Sequence, residues 1–287
     1  MKQKNSLAKV LSLLCIALVY LFLYVPLVIL LVFSFNTASF PSPWQGFTWD
    51  WYVELFQTQH LWQAFLNSLI VAFSATLLSL LMGIFLIFYY SHGGRIRSFL
   101  TLFYGNLIIP ETVLAISLLG FFTIIKVSLG LGTLIIAHTV LGLGFVIPIV
   151  YARFLELDDR MTEASLVLGA TPIQTFLRVI LPLLRPSLIA TGLLVFILSF
   201  DDFILSYFCA GSNSQTLSLY ILSMLRSGIS PIVNALSAIL LTLSSFLVFL
   251  FFSIKSRTKI FCSSSTSLSS NAFSSLQTQK LKDVKTC

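Results

Sequence analysis

Long apolar runs separated by short polar segments dominate the pattern of this chain. Six runs of about 20 residues or more lie at approximately 9–34, 64–90, 99–125, 132–153, 186–209 and 232–254. A helix of about 20 apolar residues crosses the hydrocarbon core of a bilayer, and backbone polar groups in hydrocarbon must be bonded internally. The alternating pattern of a membrane β-barrel is absent. The sequence therefore predicts an all-α polytopic membrane protein with six transmembrane helices.

Composition agrees with this pattern. Of the 287 residues, 57% are hydrophobic and only 9% are charged, too few charges to cover a soluble domain of this length. The first run follows Lys2, Lys4 and Lys9, as in a signal peptide, but it is too long for one, so we expect an uncleaved anchor. Residues 1–260 form the predicted transmembrane domain. The serine-rich segment 261–287 cannot bury enough apolar surface to fold, and we expect a disordered cytoplasmic tail.

The distribution of positive charge predicts the topology. If all six runs cross the membrane, 15 of the 17 Lys and Arg residues fall on one side. These are Lys2, Lys4, Lys9, Arg95, Arg97, Arg153, Arg160, Arg178, Arg185, Lys255, Arg257, Lys259, Lys280, Lys282 and Lys285. By the positive-inside rule, both termini and the loop at about 156–182 are cytoplasmic, whereas Lys126, Arg226 and the aromatic-rich loop 35–63 are external. For that external loop, anchoring at the membrane interface and docking of a partner both remain open.

Several classes of function lack their motifs. The formal charge of +7 is concentrated in alternate loops, as topology requires, and so does not indicate a nucleic-acid partner. Cys15, Cys209, Cys262 and Cys287 show neither metal-ligand spacing nor a disulfide framework, and we expect unpaired thiols. The chain has no G-x-x-x-x-G-K-[ST] phosphate loop and no catalytic constellation. We therefore expect neither an enzyme nor a bound cofactor or metal.

Helix start and stop signals are dense in the long cytoplasmic loop. Met161–Leu168 is expected to form a short helix that ends at Gly169, because glycine readily takes the left-handed conformation. Thr171 is the predicted N-cap of a second helix, with Pro172 in its first turn and Gln174 completing a capping box. These signals predict two short helices joined by a tight turn.

The second of these helices carries apolar residues at helical spacing. Ile173, Phe176, Leu177 and Ile180 share one face, and Pro182 is expected to end the helix. The result would be a helix-turn-helix outside the bilayer. On the pattern alone, a helix lying on lipid headgroups and a docking element for a soluble partner are both open.

The spacing of a longer motif in this loop resembles the EAA loop of ABC importer permeases. That family has Glu-Ala-Ala, then Gly, then Ile-x-Leu-Pro, and here a serine replaces the third residue and a valine the isoleucine. The matching residues are Glu163, Ala164, Ser165, Gly169, Val179, Leu181 and Pro182. The resemblance implies a coupling helix that fits a groove on a cytoplasmic ATPase subunit.

Shorter motifs extend the resemblance to the PotC-like spermidine/putrescine permeases over about residues 10–255. They are Phe33-Ser34-Phe35-Asn36, Asn67-Ser68-Leu69, Pro110 with Ala115-Ile116-Ser117-Leu118-Leu119, and Ser199-Phe200-Asp201-Asp202. The resemblance implies the six-helix fold of a type I, MetI-like importer permease in the bacterial inner membrane. It also implies an ATP-binding subunit dimer that hydrolyses the ATP, a second and different permease chain, an external solute-binding protein, and lipid around the spans.

Three acidic residues lie within the predicted spans. Asp201 and Asp202 fall in the fifth run and Glu111 in the third, all roughly 18–24 Å from the inner ends at 1.5 Å per residue. Carboxylates in hydrocarbon are costly, so such residues usually face a bundle interior or an aqueous cavity. Adjacent Asp201 and Asp202 point about 100° apart on a helix, so we expect one to face a cavity and the other to bond a neighbouring helix or cap a broken turn. Tyr104, Tyr207 and Phe208 are candidate aromatic walls of the substrate path, with ordinary packing in the helix bundle as the alternative role of each.

The acids and the resemblance together predict polyamine import. A polyamine carries several ammonium groups on a flexible apolar chain, which separated carboxylates and aromatic rings suit. An ABC permease for ferric ion, sulfate or an amino acid is the first alternative, because the loop motif does not specify a substrate. A proton-coupled secondary transporter that uses the same acids as a relay is the second, and a membrane scaffold without transport is the third. His138 is interpreted as a hydrogen-bonded helix residue.

The charge asymmetry predicts which face of the membrane each segment reaches. A membrane-impermeant label attached within 255–287 should react only from the cytoplasmic side, and one within 40–60 only from outside. The measurement is labelling of single introduced cysteines in intact cells and in inverted vesicles. Reaction of the tail in sealed intact cells would overturn both the span count and the cytoplasmic placement of the loop at 156–182.

Overall fold

The structure, a computed structural model, describes residues 2–38, 42–227 and 231–246. Within these ranges the chain is helical apart from turns, loops and one isolated β-bridge, between Asn36 and Phe47. The helices are α1 Lys2–Phe33, α2 Asp50–Gln57, α3 Gln59–Ser91, α4 Arg97–Ile108, α5 Glu111–Ile124, α6 Leu131–Leu155, α7 Asp159–Val167, α8 Pro172–Thr175, α9 Leu181–Asp201, α10 Ile204–Cys209, α11 Leu217–Ser227 and α12 Pro231–Phe246. A π-helical turn, Phe176–Ile180, joins α8 to α9. The serine-rich segment lies outside the described residues.

The apolar runs of the sequence correspond to membrane-length helices. Four helical segments of the described chain are long and apolar enough to cross a membrane, and one bent helix pair adds a fifth. They are Val10–Phe33, Gln59–Ser91, Leu131–Leu155 and Pro172–Asp201, with Phe99–Ile108 and Glu111–Ile124 as the bent pair. The all-α polytopic fold is thereby confirmed. The sixth run, 232–254, lies partly on α12 and partly outside the described residues, so its crossing stays a prediction.

The third predicted span is not one straight helix. The chain bends by 118° between α4 and α5, at Ile109 and Pro110, which both take extended conformations. Pro110 has no N–H to donate, and its ring disfavours helical geometry at the residue before it. Glu111 therefore opens a new helix, and its depth does not follow from counting residues along a straight one.

The fifth predicted span begins earlier and ends earlier than its apolar run. The expectation that Pro182 ends a separate helix was wrong, because α8, the π-helical turn and α9 form one helical segment, Pro172–Asp201. In the π-helical turn the Leu181 N–H donates to the Phe176 carbonyl, five residues back. This wider turn lets the chain stay helical through a proline that has no N–H. At the other end the chain is extended at Asp202 and re-enters a helix at α10.

Among the described residues, the chain forms two compact units, residues 56–227 and residues 2–38 and 42–55 with 231–246. In the first unit, α3, α6 and α9 pack closely because small residues face neighbouring helices. A Cβ atom added at Gly142 would collide with Ser79 and Val195. The Ser79 hydroxyl also donates to the Thr139 carbonyl at 3.2 Å, which joins α3 to α6. The helices α4, α5 and α10 pack against α6 of this three-helix core.

In the second unit, the segment after α1 folds around Asn36. The Asn36 side chain accepts the Gln45 N–H at 2.9 Å and donates to the Pro43 carbonyl at 3.2 Å. The Trp51 indole N–H donates to the Asn36 carbonyl at 2.7 Å. These bonds give the predicted external loop a defined structure, whereas its role as anchor or docking surface stays a prediction.

Candidate substrate cavity and coupling loop

A cavity of about 580 Å³ lies where two helices are broken. The first break separates α4 from α5, and the second separates α9 from α10. The residues that line the cavity are Asn106, Leu107, Ile109, Glu111, Leu114, Leu141, Phe145, Ile197, Leu198, Asp201, Asp202, Phe203 and Ile204. Most are apolar, and the polar side chains among them are one amide and three carboxyl groups.

The structure brings the three sequence-predicted acids together. Glu111, Asp201 and Asp202 all line this one cavity. Glu111 is partly buried at the first position of α5, and its carboxyl group lies close enough to Asp202 for a direct side-chain interaction. Among the described residues that line the cavity, none is Lys or Arg. A group of carboxyls with no Lys or Arg in the cavity lining suits a cation.

The Asp202 carboxylate forms hydrogen bonds within the protein. It is only 7% exposed, and its carboxylate accepts the Ser206 N–H at 3.0 Å and the Leu205 N–H at 3.4 Å. These are among the first N–H groups of α10, which have no intrahelical partner. The Ser218 hydroxyl donates to the Asp202 carbonyl at 2.6 Å. Asp202 thus caps the short helix that follows the break after α9, one of the two roles expected for this pair.

Asp201 has the opposite environment. It is the last residue of α9, and its side chain is exposed and lines the cavity. Within the described parts of the chain, its carboxylate makes no hydrogen bond and no ion pair. Of the two adjacent acids, Asp201 is therefore the one available to a ligand.

The helix ends around the cavity add partial negative charge. α4 and α9 both end at its wall, where Ile109 follows one helix and Asp201 ends the other. The last carbonyl groups of a helix lack intrahelical partners and carry the negative end of the helix dipole. At the two helix starts, Glu111 lies in the first turn of α5 and Asp202 caps α10, so acidic groups offset the positive ends. The field in the cavity favours a cation.

His138 is a buried histidine next to this site. It lies in α6 with 0% of its surface exposed. Its Nδ1 atom is 2.9 Å from the Ser199 hydroxyl, and its Nε2 atom is 3.5 Å from the Ser206 hydroxyl and 3.6 Å from Asp202 Oδ2. The sequence predicted a hydrogen-bonded helix residue, but it held no signal that the partners are residues of α9, α10 and the break between them.

The two tyrosines proposed as aromatic walls lie elsewhere. Tyr104 and Tyr207 are 45% and 51% exposed, and neither lines the acidic cavity. Tyr207 borders a separate cavity of about 440 Å³, and its ring lies 5.6 Å from that of Phe203, which does line the acidic cavity. A role for either tyrosine in binding substrate stays a prediction. Asn106, which sequence reasoning missed, lines the cavity and donates to the Val140 carbonyl at 2.9 Å.

The motif of the predicted cytoplasmic loop folds as its capping signals predict. Asp158 caps α7 by accepting the Arg160 N–H at 3.0 Å. Gly169 takes φ +86°, the left-handed conformation expected after that helix. The Gln174 N–H donates to the Thr171 hydroxyl at 3.3 Å, and the Thr171 N–H donates to the Gln174 side-chain oxygen at 3.0 Å. The predicted capping box is therefore present.

The remaining motif residues divide between surface and core. Glu163 and Ala164 are exposed, whereas Val179, Leu181 and Pro182 are partly buried. Ser165, which stands where the family motif has alanine, shares a hydrogen bond of 3.0 Å with the Thr175 hydroxyl. This bond joins α7 to α8 across the turn at Gly169.

The apolar face predicted for the second helix of the loop is split in two. Phe176 and Ile180 are 3% and 4% exposed and pack against α3, α6 and α9. Ile173 and Leu177, by contrast, are 57% and 54% exposed. The π-helical turn thus anchors the loop to the helix core while apolar side chains point outward.

Comparison with known proteins gives consistent matches. Residues 75–259 match the family described as the inner membrane component of binding-protein-dependent transport systems. The chain is 40% identical to the spermidine/putrescine transport system permease protein PotC of Escherichia coli K12, covering 80% of this chain and 88% of the relative. It is 36% identical to PotC of Haemophilus influenzae, over 81% and 91%, and 30% identical to the putrescine transport system permease protein PotI of E. coli K12, over 77% and 82%.

Solved structures show the same fold. A bacterial ABC transporter involved in import of the acidic polysaccharide alginate superposes with a TM-score of 0.67 at 19% identity, covering 89% of this chain and 96% of that one. The MetNI methionine ABC transporter gives 0.52 at 21% identity, over 71% and 94%. The fold is the MetI-like permease fold of ABC importers, in which ATP hydrolysis belongs to a separate subunit. The chain therefore belongs to the family of inner membrane components of binding-protein-dependent transport systems, a multi-pass transport subunit and not an enzyme.

Proposed function

We propose that this chain is a permease subunit of an ATP-driven importer that moves polyamines, spermidine or putrescine, across the inner membrane. The observation that carries the proposal is the acidic cavity at the two helix breaks, with three carboxyl groups and two helix C-termini at its wall. The PotC and PotI relatives are permease proteins of spermidine/putrescine and putrescine transport systems, which supports the same substrate class.

The cavity matches the two chemical parts of a polyamine. Its volume of about 580 Å³ falls in the roughly 300–1,000 Å³ range of small-molecule sites. Asp201 offers an unpaired carboxylate for an ammonium group, and Leu114, Leu141 and Phe145 offer apolar surface for methylene carbons. The same field disfavours sulfate, because an anion would face carboxylates and the negative ends of two helices.

The exposed apolar residues of the coupling loop favour transport driven by a partner ATPase over transport driven by a proton relay. Val167 and Leu168 are each 87% exposed at the end of α7, and Ile173 and Leu177 are more than half exposed beyond the turn. A clustered apolar surface on a polar loop is the kind of patch that a protein partner covers. The partner in the proposal is a cytoplasmic ATP-binding subunit dimer that receives Glu163 to Pro182 in a groove.

The finer assembly is also part of the proposal. A second and different permease chain supplies the other half of the path, and an external solute-binding protein delivers the polyamine. Both termini face the cytoplasm. Closure of the ATPase dimer pulls on the loops and rotates the helices attached to them, so that the acidic cavity opens to the outside and accepts substrate.

The coupling loop predicts a backbone effect at Gly169. Gly169→Val forces a β-branched residue into φ +86°, at a cost of roughly 1–2 kcal/mol or more, although a Cβ there meets no atom within 4 Å. Co-purification of the ATPase and uptake should both fall by about tenfold, while membrane insertion persists. Gly169→Asn is the matched control, because asparagine tolerates this conformation. Normal ATPase association and uptake in Gly169→Val would contradict the coupling role.

The cavity predicts different outcomes for two adjacent acids. Asp201→Ala should lower uptake of labelled spermidine about tenfold or more at unchanged complex yield, because the protein loses the carboxylate proposed to bind an ammonium group of the substrate. Asp202→Ala should lower the yield and thermal stability of the complex, because the Leu205 and Ser206 N–H groups lose their cap. Asp50→Ala, in the external loop, is the control and should change neither. Normal uptake in Asp201→Ala would place the substrate contacts outside this cavity.

A further inference from the structure

The break between α9 and α10 is joined to α6 at two points, in addition to the bond from Ser218 of α11 to the Asp202 carbonyl. Near the start of α10, the His138 ring contacts the hydroxyl of Ser206 and the carboxylate of Asp202. At the end of α10, the Thr133 hydroxyl donates to the Cys209 carbonyl at 3.0 Å. Two residues of α6, five positions apart, therefore bind the two ends of this six-residue helix.

The contact with His138 has a role that the helix cap cannot supply. The Leu205 and Ser206 N–H groups move with α10, so their bonds to Asp202 close the turn without fixing where it lies against α6. Glu111, another side chain close to Asp202, belongs to α5 and not to the core of α3, α6 and α9. Of the described side chains, only His138 joins the Asp202 carboxylate to the helix core.

The orientation of the His138 ring is itself fixed. The Ser199 hydroxyl lies 2.9 Å from Nδ1, which leaves Nε2 directed toward the break. Ser199, Ser206 and Asp202 are all buried, at 5%, 0% and 7% exposure. A histidine with both nitrogens engaged in a closed site has one usable ring orientation, and the imidazole cannot itself reach the cavity.

We propose that His138 is a positioning residue for transport: it holds Asp202 against α6 and so keeps the neighbouring Asp201 carboxylate directed into the cavity. Because the two acids are adjacent on the chain, the inward placement of Asp202 decides where Asp201 points. His138 acts through this pair and does not touch the substrate. The choice of polyamine as the assayed ligand rests on the proposed function, whereas the positioning itself does not.

The test compares two amides at position 138. The His138→Gln amide reaches the position of Nε2 and can still donate to Asp202, whereas the shorter His138→Asn amide reaches only the Nδ1 position beside Ser199. In the assembled complex, His138→Asn should raise the KM for spermidine uptake about tenfold with the maximum rate within about twofold. His138→Gln should stay within about threefold of the parent KM, and the exposed His92→Gln is the control.

A second readout needs no polyamine. In a protein with Cys15, Cys262 and Cys287 replaced by serine and the buried Cys209 retained, Asp201→Cys is labelled with a cationic methanethiosulfonate reagent. The labelling rate should fall about fivefold with His138→Asn and stay unchanged with His138→Gln, because only the glutamine places a polar group at the Nε2 position, which lies 3.6 Å from Asp202 Oδ2.

The two readouts separate the possible failures. If the complex containing the parent chain takes up no polyamine, the proposed function fails, and the labelling rates still test the positioning. Equal KM values and equal labelling rates for His138→Asn and His138→Gln would overturn the positioning role. Equal losses of yield and maximum rate in both variants, with KM unchanged, would show that His138 only packs in the helix core. That result would also overturn the positioning role.

Discussion

Backbone that leaves helical geometry at membrane depth must find other hydrogen-bond partners, and this constraint shapes the site. Unpaired backbone groups are too costly in hydrocarbon, so broken helices occur where they border a cavity or are bonded by side chains. Both solutions are present here. Asp202 binds the N–H groups at the start of α10, Ser218 binds the carbonyl of Asp202, and the ends of α4 and α9 border the cavity. The carboxylate that caps α10 and the helix C-termini that border the cavity also give the cavity a negative potential, which favours a cation.

One helical segment, the fifth predicted span, connects the cavity to the loop that carries the motif. Pro172–Asp201 is one helical segment of 30 residues, which corresponds to about 45 Å of helix. Its first turns carry the exposed apolar side chains of the loop, and its last residue is the unpaired acid of the cavity. Phe176 and Ile180 fix the π-helical turn to α3 and α6. In the proposed cycle, a force applied at the loop would reach the candidate substrate cavity through one continuous helical segment.

Local signals in the sequence predicted local structure well. The caps at Thr171 and Gln174 and the left-handed Gly169 depend on short-range patterns, and each is present. The meeting of Glu111 with Asp201 and Asp202 depends instead on tertiary packing between distant parts of the chain. Prolines were less predictable: Pro110 breaks a span, whereas Pro182 is absorbed by a π-helical turn. The difference depends on tertiary packing, which anchors Phe176 and Ile180 around the second proline. The partners of His138 are 61 and more positions away in the chain, so no spacing rule could identify them.

The central claim is that this cavity selects an organic polycation in an ATP-driven cycle. Its most direct test is uptake into proteoliposomes that contain the complex of this chain with its second permease and ATPase, supplied with the binding protein and ATP. Labelled spermidine or putrescine should accumulate only with ATP present, and labelled sulfate or amino acids should not. Accumulation of sulfate or an amino acid in place of the polyamine, or polyamine uptake driven by a proton gradient without ATP, would contradict the account.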